Sequence, residues 1–156
     1  VSDETRWLDA EEQRTWRAYV RATRGLSDTL DRELQRDAGI PHTYYEILVR
    51  LSEAPHRELR MSSLAESSNS SRSRLSHAVA RLEEAGWVER RDCPTDRRGQ
   101  VAALTEKGFT ALAAAAPGHV QGVREHLFDQ LTPEQVRQLR EICEAIAEPL
   151  GPRFQV

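Results

Sequence analysis

Between Ser70 and Gly99 the chain commits itself to one local architecture. Leu75, Ala78, Val79 and Leu82 recur at three- and four-residue steps, the spacing of a single apolar stripe along a helix. Ser70 or Ser71 suits the N-cap, and Asn69 just before them suits a tight turn. Gly86 fits the left-handed residue that closes such a helix. Trp87-Val88-Glu89-Arg90-Arg91 then alternates as a short strand, Asp92 to Gly99 supplies turn residues around Pro94 and Gly99, and Val101 to Leu104 returns as a second strand. A helix followed by a basic-tipped hairpin is a winged helix.

The face opposite the stripe is unusual. It carries Ser73, His77 and Ala80, flanked by Arg72, Arg74, Ser76 and Arg81, with acids only from Glu83 onward. A helix entering a DNA major groove needs this chemistry at its N-terminal end: Arg reaches guanine edges bidentately, short hydroxyl residues let the backbone come close, and the positive dipole end faces phosphate. On its own this pattern also fits a solvated surface helix. The hairpin that follows and the short helix that precedes decide between the two, because independent local signals agree.

The flanking segments are helical. A long stripe from about Leu8 to Arg36 runs through Trp16, Tyr19, Val20, Leu26, Leu30 and Leu34. Gly39-Ile40-Pro41 breaks it, Pro41 suits the first turn of the next helix, and Tyr45, Leu48, Val49 and Leu51 continue the pattern. A short helix over roughly Met61 to Ser68 completes a helix-turn-helix spacing. Thr105 is the expected N-cap of a helix that runs through Phe109, Leu112, Val120, Val123 and Leu127 to Leu131, kinked at Pro117-Gly118. Thr132-Pro133-Glu134-Gln135 starts a last helix with Val136, Leu139, Ile142, Cys143, Ile146 and Leu150 on one side. The terminal helices carry apolar stripes with no evident cover in the chain, so residues 1–38 and 105–156 are expected to form a helical dimerisation region around a winged helix-turn-helix domain at 39–104. The expected fold class is mainly α with a small β-hairpin wing.

Composition narrows the functional classes. The chain has 156 residues and a net charge of −3, yet Lys and Arg outnumber Asp and Glu only between residues 70 and 99, and the distribution matters more than the sum. The two cysteines, Cys93 and Cys143, have no metal-ligand spacing and fit a reducing compartment. No apolar run is long enough to cross a bilayer and the N-terminus lacks a signal pattern, so the expected location is cytoplasmic, without membrane association. His42, His56, His77, His119 and His126 lie in separate segments, and there is no glycine-rich phosphate loop. Accordingly no catalytic residue, metal site or cofactor is assigned. The alternative to DNA binding is a winged helix that serves as a protein-interaction module.

The residues resemble the MarR (multiple antibiotic resistance regulator) family of winged-helix transcription factors over almost the whole chain. The resemblance rests on Met61-Ser62-Ser63-Leu64-Ala65-Glu66, on Arg81-Leu82-Glu83-Glu84-Ala85-Gly86-Trp87-Val88-Glu89-Arg90, and above all on Asp96-Arg97-Arg98-Gly99 followed by Leu104-Thr105-Glu106-Lys107-Gly108. It implies a homodimeric bacterial regulator, a repressor, bound to a pseudo-palindromic operator in double-stranded DNA. In that picture Ser71, Arg72, Ser73, Arg74, Ser76 and His77 read the major groove. At the wing Arg98, beside Arg97, enters the minor groove while Asp96 holds it, or the wing backbone, in position. His42 and Thr43 touch phosphates, and Ser62 and Ser63 stand with them as candidate phosphate contacts. Family members often respond to small phenolic or aromatic acids, for which Trp7, Trp16, Arg17, Tyr45 and Arg90 are the candidate lining residues. Here His77 stands where an arginine is common, and Asn69-Ser70 where glycine and an aliphatic residue are common. Oxidant sensing through an N-terminal cysteine is not expected, since no cysteine precedes Cys93.

Overall fold

Most of the long helices begin where a side chain is placed to satisfy free backbone donors. In the computed structural model, which describes residues 5–67, 71–93 and 96–151 and, of these, all side chains but those of 67 and 96–98, helix α1 covers Ala10–Ala38. Asp9 caps it by accepting from the Glu11 and Glu12 amides at 2.7 and 2.8 Å, and the Glu12 carboxylate accepts the Asp9 amide at 2.9 Å. Gly39, at φ +67°, ends it by returning its N–H to the Gln35 carbonyl. Helix α2 is His42–Glu53. Pro41 occupies its N-cap rather than the first turn, a correction to the sequence reading. Because proline brings no capping side chain, Asp31 of α1 reaches across and accepts the His42 amide at 2.8 Å.

The sheet has three antiparallel strands, β1 (Glu58–Arg60), β2 (Val88–Cys93) and β3 (Asp96–Leu104), in the order β1-β3-β2. Only the last two are legible in the sequence. β1 is three residues long and exists through its pairing with β3, Leu59 lying opposite Ala102. The hairpin is also longer than expected: Asp92 and Gly99, read as turn, are strand residues, and so is Gln100, with Asp92 opposite Gln100 and a bulge before Cys93. Pro94 and Thr95 lie outside the described residues, as do Asn69 and Ser70.

Between β1 and β2 lie helices α3 (Met61–Ser67) and α4 (Arg72–Glu84). Helix α5 (Glu106–His126) is continuous through Pro117, which lies on its exposed side. It stops short of the expected Leu131: Leu127 leaves the helical region at φ −123° and a single tight turn covers Phe128–Gln130. Helix α6 (Pro133–Ala147) starts with the expected reciprocal cap between Thr132 and Gln135. The core is built by α2, α3, α4 and the sheet around Leu48, Leu51, Leu64, Val79 and Ala102, all without measurable exposure.

The terminal helices contribute little to that core. α1 buries only Leu30 and Leu34, and α6 buries nothing. Ile142 and Leu150 are each 56% exposed and Trp16 is 57% exposed. Among the described residues no helix is long and apolar enough to cross a membrane.

Candidate nucleic-acid interface

The stripe Leu75, Ala78, Val79 and Leu82 is buried against the core, and this fixes the roll of α4. Of the two N-caps read from sequence, Ser71 is the one observed, accepting the Arg74 amide at 3.3 Å. With that orientation Ser71, Arg72, Ser73, Arg74 and His77 are exposed and Ser76 is half-buried. Two turns further on Arg81 is tied to Glu84 at 2.7 Å, so the arginines at the N-terminal end, not this one, carry charge outward. Beside them a cleft of about 390 Å³ opens between α3, α4 and β3, lined by Arg60, Ser62, Arg72, Ser76 and Gln100 among others. Ser62 and Ser63 are both exposed at the start of α3.

The wing triplet Asp96, Arg97 and Arg98 has its backbone at the start of β3, while its side chains lie outside the described ones. Thr43 is exposed at the start of α2. His42 is not presented with it: its ring sits 5.4 Å from that of His119 of α5, and its Nδ1 is 3.7 Å from Glu46. His119 in turn lies 4.6 Å from the Tyr45 ring. Its Nδ1 is buried without a hydrogen-bond partner, and burial, followed by the neighbouring His42, pushes its pKa below the usual 6.5. Tyr45 is a core residue whose phenol is pushed up by burial.

The elbow joining α4 to β2 is held from outside by α5. Gly86 adopts φ +74°, and Trp87 returns its N–H to the Leu82 carbonyl at 2.9 Å. The Thr105 hydroxyl donates to the Gly86 carbonyl at 2.7 Å and accepts the Gly108 amide at 3.0 Å, so one side chain both clamps the elbow and caps α5. The Lys107 ammonium donates to the Ala85 carbonyl at 2.7 Å, neutralising the C-terminal end of α4. Gly108 packs so closely on the Trp87 carbonyl group that a Cβ there would lie 2.8 Å from its carbon. The spacing Leu104-Thr105-Glu106-Lys107-Gly108 therefore has a physical meaning that sequence reasoning alone does not supply.

The residues read as a possible aromatic-acid site occupy separate settings. Trp7, Trp16 and Arg17 are exposed in and before the first turns of α1, Tyr45 is in the core, and Arg90 of β2 is ion-paired with Glu83 of α4. Cys93 is buried and Cys143 exposed. Among the described residues there is no group of three or more His, Cys, Asp or Glu side chains placed to hold a metal ion.

Relatives with this geometry are known. The chain is 58% identical to Sco3205 of Streptomyces coelicolor, a MarR family transcriptional regulator crystallised in complex with DNA, with a TM-score of 0.91 over 97% of this chain and 94% of that one. The chain belongs to the MarR family. The family profile matches residues 40–99, the stretch from the start of α2 to the wing. A second MarR regulator of S. coelicolor, AbsC, is 44% identical with a TM-score of 0.88, covering 94% of this chain and 98% of its own. The transcriptional repressor MprA of Escherichia coli is 30% identical over 117 residues, which are 75% of this MarR chain but only 66% of that repressor. Transcriptional regulators, not enzymes, make up this family.

Proposed function

We propose that this chain is a homodimeric, sequence-specific DNA-binding repressor that inserts α4 into the major groove and the wing into the adjacent minor groove. The observation that carries the reading is the exposed set Arg72, Ser73, Arg74 and His77 on a helix whose roll is fixed by a buried stripe and whose first turn is capped. Residues 39–104 form the reading head, and residues 1–38 and 105–156 bring two copies together. The dimer is supported by α6, which buries none of its residues within the protomer although it carries Ile142 and Ile146, with Leu150 exposed in the turn that follows it. Thr43, Ser62 and Ser63 contact phosphates, and Arg98, steadied by Asp96, senses minor-groove width and A·T content. The candidate releasing ligand is a small aromatic acid, although Tyr45, Arg90 and the α1 residues stand in separate environments within the protomer.

Selection from random duplexes tests the reading. A two-fold dimer should recover inverted repeats whose half-sites are about one helical turn, roughly 10 base pairs, apart. Arg74→Ala or His77→Ala should change preference at particular base pairs by about 1–3 kcal/mol, whereas Arg98→Ala should weaken binding with the major-groove preference unchanged. Asp96→Ala should mimic Arg98→Ala in part, although it removes a negative charge. Tighter binding by the Asp96 variant would show its carboxylate to be merely repulsive. Recovery of no duplex at all would favour the protein-interaction module.

A further inference from the structure

We infer that Glu83 and Arg90 are a positioning pair that sets the angle between α4 and the wing, and so determines whether both reach one duplex together. Glu83 stands in the last turn of α4 and Arg90 in β2, on either side of the Gly86 elbow. One carboxylate holds Arg90 at two levels. Glu83 Oε1 accepts the Arg90 backbone N–H at 3.0 Å, and Oε2 accepts its Nε at 2.6 Å and lies 2.6 Å from Nη2.

The two-level grip is what makes the pair directional. β2 is an edge strand in the order β1-β3-β2, so an N–H on its open side has no strand partner, and at Arg90 this donor is taken by the helix instead. The planar guanidinium adds a second anchor beside the first, which restrains rotation of the strand as well as its distance. Both side chains are more than two-thirds covered, at 28% and 27% exposure, so the pair is screened less than a surface bridge. The α5 clamp acts on other atoms, the Ala85 and Gly86 carbonyls. Thus α5 fixes where the elbow lies, and Glu83–Arg90 fixes how the strand leaves it. The far end of β2 lies about 10 Å beyond Arg90 at ~3.3 Å per residue, so a small rotation at Arg90 becomes a displacement of ångströms where the wing meets DNA.

The inference rests on the DNA-binding reading, and the experiment separates the two. Full-length parent, Arg90→Lys and Glu83→Gln are compared on a duplex selected by the parent, by affinity, salt dependence and hydroxyl-radical footprint, with thermal unfolding as a check on folding. Arg90→Lys keeps the charge and loses the fork; Glu83→Gln keeps an acceptor for the Arg90 amide and loses the charge. Each should weaken binding on the order of tenfold, the scale of one lost charge-assisted contact. Each should also lower the salt slope and lose the outer, wing-side protections while keeping the inner ones under α4. An unchanged footprint and salt slope in both folded variants overturns the positioning role, whatever happens to affinity. A parent that gives no footprint on any selected duplex overturns the DNA-binding reading, and that result is seen before any substitution is made.

Discussion

Gly108→Ala places a single methyl group against the clamp that holds the reading head. A Cβ at this position would lie 2.8 Å from the Trp87 carbonyl carbon and from Leu104 Cδ1, and nearer still to the Trp87 oxygen. Ordinary contact begins at 3.4 Å, so relieving the carbon contacts alone takes a shift of about 0.6 Å, the difference between those two distances, and the nearer Trp87 oxygen demands more. Overpacking of this kind costs about 1–3 kcal/mol. The same shift strains the Thr105 N–H to Trp87 carbonyl bond, now 3.0 Å long, which adds about 1 kcal/mol if it is lost. Replacing glycine within a helix returns up to about 1 kcal/mol. The net expectation is destabilisation by about 1–3 kcal/mol, a fall in Tm of roughly 2–12 °C for a chain of this length. Gly118→Ala, in the same helix with nothing within 4 Å of its Cβ, has only the propensity gain and should raise Tm by roughly 2–4 °C. Circular dichroism melts at one protein concentration read both, since the midpoint of a dimer depends on concentration. A Gly108→Ala protein melting at or above the parent would refute the argument, for it would show that the elbow yields without cost.

Other expectations follow from particular contacts. His119 is held below 6.5 by burial and by His42, so the folded state binds fewer protons than the unfolded one between its lowered pKa and 6.5. The stability it contributes is complete above that range and is lost as pH falls through the folded pKa; His119→Leu should flatten the decline of urea midpoints as pH drops below 6.5, and an unchanged slope would contradict this. Asp31→Ala removes the cap on α2 supplied from α1 and should cost about 0.5–2 kcal/mol, read as a lower urea midpoint with unaltered slope. Ile142→Glu should leave the protomer folded, because Ile142 is 56% exposed within it. With just over half of its surface left for a partner to cover, each isoleucine is worth about 0.8–1.7 kcal/mol on burial; twice per dimer, the substitution should weaken association by at least about tenfold, and a light-scattering mass that stays at the dimer would exclude α6 from the interface.

What the sequence determined by itself is the set of elements whose causes are local. Ser71, Thr105 and the Thr132–Gln135 box cap helices across three residues, and Gly86 closes one through a backbone conformation of its own. Such contacts recur wherever the residues stand at that spacing, so they are visible without the fold. The exposed face of α4 was legible for the same reason, since a stripe at helical period defines its own back. Tertiary structure decided everything that needs a distant partner. β1 has three residues and no period, and only pairing with β3 makes it a strand. Asp31 caps a helix eleven residues away, His42 turns toward His119 rather than outward beside Thr43, and Tyr45 is spent in the core. Arg90 reads in sequence as a charge on a basic strand and, through the family resemblance, a candidate ligand contact; its pairing with Glu83, brought beside it by the Gly86 elbow, is seen only in the fold. Short-range hydrogen bonds are encoded by neighbours along the chain, whereas a contact across the fold depends on where the chain returns, and that is fixed by the packing of the whole core.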